Sequence, residues 1–220
     1  MSTTPSPTLV YRFVSYCLVF PIFRLLFRGF TFGLENVPSK GPLVVVANHG
    51  SHLDPPFLGH ALGRPVSFMA KAELFHIPLL GLLIKACSAY PIKRGASDRE
   101  AIKLATKRLL DGWATGVFLD GTRQDNGRVN SPLPGAALLA ARSSSALLPV
   151  AIVNSHRALG SGSCIPRFMP IHIRIGKPIP PPSRAKKDEL IETTKKLQVS
   201  INNLLDQGLV TDLERIRSRS

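Results

Sequence analysis

The stretch Gly41-Pro42-Leu43-Val44-Val45-Val46-Ala47-Asn48-His49-Gly50-Ser51-His52-Leu53-Asp54-Pro55-Pro56 decides how this chain is read. Gly41-Pro42 signals a turn, and the unbroken apolar, β-branched run behind it is the pattern of a strand buried on both faces. The run stops at the polar Asn48. Asp54-Pro55-Pro56 then reads as a helix start, with Asp54 as N-cap and proline at the first helical position, where no amide hydrogen is required. A buried strand, a short polar loop and a helix form one βα unit. Loops at the carboxyl ends of such strands are where α/β domains build their sites.

The alternation continues outward from this unit. Val66–Ala70 is a second strand, and Leu74–Ala86 is apolar and helical in length, interrupted by Pro78 and Gly81, ending in a strand at Ala89–Ile92. Ser97-Asp98-Arg99-Glu100 is a capping box opening a helix that reaches about Trp113, with Ile102, Ala105 and Leu109 on one face. Gly116–Leu119 is a short strand, Pro134–Arg142 a small helix, Leu147–Val153 a buried strand, and Ile171–Ile175 an alternating, half-exposed one. A proline-rich passage over 178–182 leads into an amphipathic helix at Lys187–Leu205, and no internal repeat occurs. The fold class predicted is α/β, a central, mostly parallel or mixed sheet flanked by helices. The chain divides into an N-terminal segment over 1–33, an α/β domain over 34–182, and a C-terminal helix with a basic tail over 183–220 that packs on the domain.

Charge narrows the partners. The 220 residues hold 28 Lys+Arg against 14 Asp+Glu, a formal net charge of +14, yet 44% are hydrophobic. A disordered basic tail would lack that apolar content, so the chain folds around a core and meets an anionic partner: a membrane surface, a phosphorylated substrate or a nucleic acid. Cys17, Cys87 and Cys164, odd in number and far apart, exclude a disulfide framework and a CxxC metal knuckle. In Leu9–Phe30, aromatic and leucine residues accompany Arg12, Arg24 and Arg28, and no acidic residue precedes Glu35. That composition predicts a helix lying in a membrane interface, kinked or split at Pro21, against the alternative of a core helix packed on the domain. No uncharged run reaches the roughly 18 residues of a spanning helix, the longest being Ser143–His156, and no secretory leader is expected. A nucleic-acid module would need interleaved basic and aromatic residues or a helix-turn-helix or RNP-like signature; no specific nucleic-acid partner is expected.

His49 and Asp54, five residues apart across a loop containing Gly50, can fold so that the carboxylate accepts from one imidazole nitrogen and leaves the other as a base. A hydroxyl held at that nitrogen could be deprotonated as it attacks a carbonyl, with no serine or cysteine nucleophile. Two other readings stand beside it: His49, His52 and Asp54 as metal ligands, and both histidines as turn and cap residues. GxSxG, GxGxxG and GxxxxGK[ST] are absent. A second constellation is Phe118-Leu119-Asp120-Gly121-Thr122-Arg123: Gly121 permits a sharp turn, Arg123 offers a fork matched to phosphate oxygens, and Asp120 could orient it. Lys71 and Lys93-Arg94 also follow strands, so all these cations can converge on the sheet edge that bears His49.

Together these blocks resemble the glycerolipid acyltransferase family that includes the 1-acylglycerol-3-phosphate (lysophosphatidic acid) acyltransferases. Asn48-His49 with Asp54 fits that family's Asn-His-x4-Asp block, Ala89–Arg94 its second, Phe118–Arg123 its third, and Leu148-Pro149-Val150 its fourth. Lys71-Ala72-Glu73-Leu74 also resembles its pattern, and the likeness spans roughly Leu34 to Lys177. The resemblance implies transfer of an acyl group from a thioester, on coenzyme A or acyl carrier protein, to the free sn-2 hydroxyl of a lysophospholipid, giving phosphatidic acid. It implies His49 as general base oriented by Asp54, with Asn48 and Asp120 in support. Arg123, Arg94 and Lys71 would hold the acceptor phosphate over the turn at Gly121 and Thr122. It implies an anionic phospholipid membrane as partner, on its cytoplasmic face, and no metal or organic cofactor. The chain departs from the family's usual Phe-Pro-Glu-Gly-Thr-Arg at Leu119 and Asp120, which leaves another lysolipid or glycerol phosphate open as acceptor.

Overall fold

A computed structural model describes residues 9–78, 80–86, 89–92, 98–160, 162–163 and 165–217. Its strands are β1 (Phe30–Phe32), β2 (Leu43–Ala47), β3 (Val66–Lys71), β4 (Tyr90–Ile92), β5 (Ala114–Phe118), β6 (Ala146–Val153) and β7 (His172–Ile175). Its helices are α1 (Leu9–Phe13), α2 (Asp54–Ala61), α3 (Leu80–Ala86), α4 (Asp98–Leu110), α5 (Gly135–Ser143), α6 (Ser155–Ala158) and α7 (Lys187–Arg217). The strands form one sheet in the order β1-β7-β6-β2-β5-β3-β4, parallel throughout except where β6 meets β7.

The β-branched run sits in the middle of this sheet, and every residue of β2 is fully buried. Leu43, Val45 and Ala47 face a layer made by the N-terminal helix and α2, through Val14, Val19, Phe23, Phe57 and Leu58. Val44 and Val46 face α4, α5 and α7, through Leu109, Leu139, Leu197 and Ile201. Helices on both faces explain why the strand reads as continuously apolar. Because β2, β3, β5 and β6 run parallel, their following loops gather on one edge.

The N-terminal helix runs without a break over Leu9–Leu26, so the chain does not split at Pro21. Proline lacks an amide hydrogen and its ring collides with the carbonyl four residues back. The helix absorbs both by widening into π-turns over Val14–Val19 and Ile22–Leu26, where the amides of Phe20 and Phe27 donate to Ser15 O and Ile22 O. Tyr11, Val14, Ser15, Val19 and Phe23 are buried on this helix, while Leu9, Phe13, Tyr16 and Leu25 stay largely exposed. Tyr11 Oη donates to Gly59 O at 2.9 Å, and Ser15 Oγ lies 2.9 Å from His60 Nδ1, fastening the helix to α2.

Several expectations need correction. Asp54 does not cap α2 but is its first residue, with Leu53 at the cap and the carboxylate turned back onto its own loop. β1, hidden in an aromatic stretch with no alternation, pairs with β7. β7 is buried except at the half-buried Arg174, because Ile173 and Ile175 join the core layer under the N-terminal helix and α2 while His172 packs edge-on to the rings of Phe30 and Phe32. Helix α4 stops at Leu110, since Gly112 (φ 86°) takes the left-handed turn that ends it. Helix α7 continues to Arg217, well past Leu205. Ser97 of the expected capping box lies outside the described residues.

Candidate active site

Two loops at the carboxyl edge of the sheet build the site. After β2, the chain turns through Gly50 and Ser51 so that Asp54, fully buried, faces back toward His49. Asp54 Oδ2 accepts from the amides of Gly50 and Ser51 and meets His49 Nδ1, each at 2.8 Å. An oxygen already accepting from two amides is an acceptor, so Nδ1 carries the hydrogen. That tautomer leaves the lone pair of the neutral imidazole on Nε2. The imidazole is 17% exposed, open enough to be reached yet shielded from bulk water.

The ring also has a platform. His49 stacks on Phe118 with centroids 3.9 Å apart and planes 12° from parallel, and Phe118 lies over Phe68 at 6.0 Å and 19°. Phe68 fits only because residue 116 is glycine: a Cβ there would fall 2.1 Å from the Phe68 ring. Asn48 fastens the end of β2 on its other side. Its side chain accepts from Ile152 N at 2.8 Å and donates to Ile152 O and Gly127 O at 3.0 and 2.8 Å.

After β5, Gly121 takes φ 69° and its amide donates to Phe118 O at 3.0 Å, closing the turn that carries Thr122 and Arg123. Gln124 N donates to His49 O at 2.8 Å, so this turn is tied directly to the histidine. Gly121 and Thr122 are exposed and Arg123 half-buried. Asp120 does not orient Arg123. Its two carboxylate oxygens accept from the amides of Asn130 and Ser131 at 3.1 and 2.9 Å, bracing the far side of the same loop. Lys71 is the last residue of β3, on the edge that carries His49. Arg94 lies outside the described residues. His52 is exposed, and among the described residues no group of three or more His, Cys, Asp or Glu side chains could hold a metal ion.

The sequence reading assigned nothing to Phe118 as a platform or to His156. His156 follows β6, and its ring occupies the space a Cβ on Gly127 would need, 2.2 Å from Nδ1. Burial, with Arg157 adding to it, holds this imidazole below its ordinary range, while Asp54 pulls the other way. Nothing in the sequence signals this neighbour, because it arrives from a strand about a hundred residues further along. A separate recess of about 450 Å³ flanks β4, lined by Phe75, His76, Tyr90 and Arg108 among others, away from His49.

Fold and geometry thus define an α/β protein organised around a histidine–aspartate pair at the carboxyl edge of a mostly parallel sheet. The profile of the acyltransferase family matches residues 30–153, more than half of the chain, and the chain belongs to that family. It is 31% identical over 148 residues to a chloroplastic 1-acyl-sn-glycerol-3-phosphate acyltransferase of Arabidopsis thaliana, covering 66% of this chain and 40% of that protein. It is 28% identical over 181 residues to the 1-acyl-sn-glycerol-3-phosphate acyltransferase of Bacillus subtilis, covering 79% of this chain and 87% of that one. The chain therefore spans less than half of the plant relative but most of the bacterial one. The fold is similar to the crystal structure of the 1-acyl-sn-glycerophosphate (LPA) acyltransferase PlsC of Thermotoga maritima, with a TM-score of 0.75, 24% identity and coverage of 90% of this chain and 78% of that chain.

Proposed function

We propose that this chain transfers a fatty acyl group from an acyl thioester, on coenzyme A or acyl carrier protein, to the free sn-2 hydroxyl of 1-acylglycerol-3-phosphate. The product is phosphatidic acid. The carrying observation is the 2.8 Å contact between His49 Nδ1 and a buried Asp54 that also accepts from two amides. It supports an imidazole whose Nε2 is the base. The names of the Arabidopsis and Bacillus relatives support the choice of acceptor.

In this reading Nε2 takes the hydroxyl proton as the oxygen attacks the thioester carbonyl. The tetrahedral intermediate collapses with cleavage of the carbon–sulfur bond, and the imidazolium returns its proton to the departing thiolate. Asp54 stabilises the imidazolium between these steps. Arg123, Lys71 and Arg94 hold the acceptor phosphate, and the Gly121–Thr122 turn lies beneath it. Positioning of both substrates supplies most of the remaining acceleration. The sequence of bond changes calls for no metal or prosthetic group.

The chain works on an anionic membrane, at its cytoplasmic face. Leu9–Leu26 is long and apolar enough to cross a bilayer by length and composition. Its buried face, however, is docked on α2 through Tyr11 and Ser15, which favours a helix lying in the interface with Leu9, Phe13 and Leu25 in the acyl layer. The test is labelled acyl transfer from both donor types to a panel of lysolipid acceptors. His49→Ala abolishes transfer while thermal unfolding stays cooperative; a folded variant with full activity overturns the mechanism.

A further inference from the structure

The turn over 165–168 stands out on a surface the proposed chemistry does not use. Ile165 is 79% and Phe168 58% exposed, and the exposed Arg167 lies between them. The turn is nonetheless held in place. Arg167 N donates to Ala158 O at 2.7 Å, Ser163 Oγ to Ile165 O at 3.0 Å, and Asn154 Nδ2 to Pro170 O at 3.2 Å. Met169, the next residue, is half-buried and packs against the core. Two large apolar side chains held outward on a braced turn, beside a cation, are costly in water unless something apolar covers them.

Its position points to the occupant. Ile171 N donates to Phe27 O at 3.1 Å, the Phe168 ring leans on Phe27 at 5.7 Å, and Arg28 reaches Phe168 O at 3.4 Å. The turn therefore adjoins the end of the N-terminal helix, where Leu25 and Leu26 are exposed. The register Val153↔His172 places it at the sheet edge where β6 ends, which is also the edge of His49. No acidic residue lies between Asp125 and Asp188, and none precedes Glu35, so the two segments that meet at this turn carry arginines and no carboxylate. Apolar tips among arginines match an anionic bilayer, apolar in its interior and negative at its headgroups.

We infer that the 165–168 turn is a second bilayer-contacting element, inserting Ile165 and Phe168 beside the N-terminal helix and turning the His49 edge of the sheet toward an anionic membrane. One helix fixes a line on the membrane; a second contact off its axis fixes the plane. The inference rests on the membrane reading above.

The experiment uses the full chain and sedimentation with vesicles of phosphatidylcholine, with and without phosphatidylglycerol. Ile165→Ser/Phe168→Ser weakens partition into the anionic vesicles about ten- to a hundredfold, and Arg167→Gln lowers only the phosphatidylglycerol-dependent part. Ile191→Ser, an exposed apolar position on α7, leaves partition unchanged. Phe168→Trp in a Trp113→Phe background gives blue-shifted emission quenched by brominated acyl chains, whether or not the double serine variant is stable. Wild-type partition by the double serine variant, or unquenched indole emission from the Phe168→Trp chain on bound vesicles, overturns the second contact alone. A wild-type chain that binds no vesicles overturns the membrane reading and this inference with it. Self-association in lipid-free solution that the double serine variant abolishes assigns the patch to a second copy instead.

Discussion

Asp54→Asn is the most discriminating perturbation of the site. In the native chain one carboxylate oxygen accepts three hydrogen bonds at 2.8 Å. The amide keeps an oxygen for Gly50 N and Ser51 N, but exchanges charge-assisted bonds of about 1.5–3 kcal/mol for neutral ones of about 0.5–1.5 kcal/mol. Its NH₂ occupies the place of Oδ1, which is buried and has no hydrogen-bond partner. Together these changes cost about 2–4 kcal/mol, which a domain of ordinary stability survives. At about 2–4 °C per kcal/mol for a chain of this size, Tm falls by about 5–15 °C. Catalysis suffers more. Without an anion at Nδ1 the imidazolium is no longer stabilised, and the base loses much of a contribution usually worth about 10²–10⁴.

We therefore predict a kcat at least about a hundredfold below wild type, with KM for lysophosphatidic acid within about threefold. Initial rates of labelled acyl transfer and a calorimetric scan measure the two effects separately. Asp54→Ala serves as contrast: it strands the buried Gly50 and Ser51 amides, at about 1–3 kcal/mol each, and unfolds at lower temperature than Asp54→Asn. A folded Asp54→Asn enzyme turning over within threefold of wild type refutes the base assignment, however well the geometry suits it.

Three further outcomes follow from the same contacts. Gly116→Ala sets a Cβ against the Phe68 ring, so it should cost about 1–3 kcal/mol of stability and lower kcat by tilting the Phe118 platform; unchanged unfolding and kinetics would show that the stack does not position His49. Asp120→Ala frees the amides of Asn130 and Ser131, and we predict a raised KM for the phosphorylated acceptor with a smaller change in kcat, read from steady-state kinetics. Burial holds His60 and His156 below the ordinary imidazole range, so the unfolded chain binds more protons as pH drops below about 6.5, and stability present above that pH is lost on acidification. Tm should fall between pH 7.5 and 5.5, and His60→Asn should flatten part of that slope; a Tm independent of pH in both proteins contradicts it.

The site was legible to different depths. His49 and Asp54 lie in one loop, so their spacing and Gly50 between them were enough to suggest that they meet. Asp120 shows the opposite case. Its carboxylate sits three residues from Arg123, but the acceptors' true partners are amides ten and eleven residues on, and no local pattern marks them. Pro21 suggested a kink or a split because a proline in a helix usually signals one; the split does not occur, since tertiary packing of Tyr11, Val19 and Phe23 holds the helix together and π-turns absorb the misfit. β1 escaped notice because three residues inside an aromatic run carry no period, and only pairing with β7 makes them a strand.

The β-branched run, the turn residues and the order of polar loops along the chain are enough to establish an α/β fold with chemistry at strand ends. Those features depend on burial and backbone preference, which act within a few residues. Which strands become neighbours is another matter. The order β1-β7-β6-β2-β5-β3-β4 brings Phe118 under His49, Ile152 to Asn48, His156 to Gly127 and Phe168 to Phe27. Each of these contacts joins residues at least 29 positions apart, set by how two apolar layers close on one sheet, and it is there that the imidazole acquires its platform and the surface its second apolar contact.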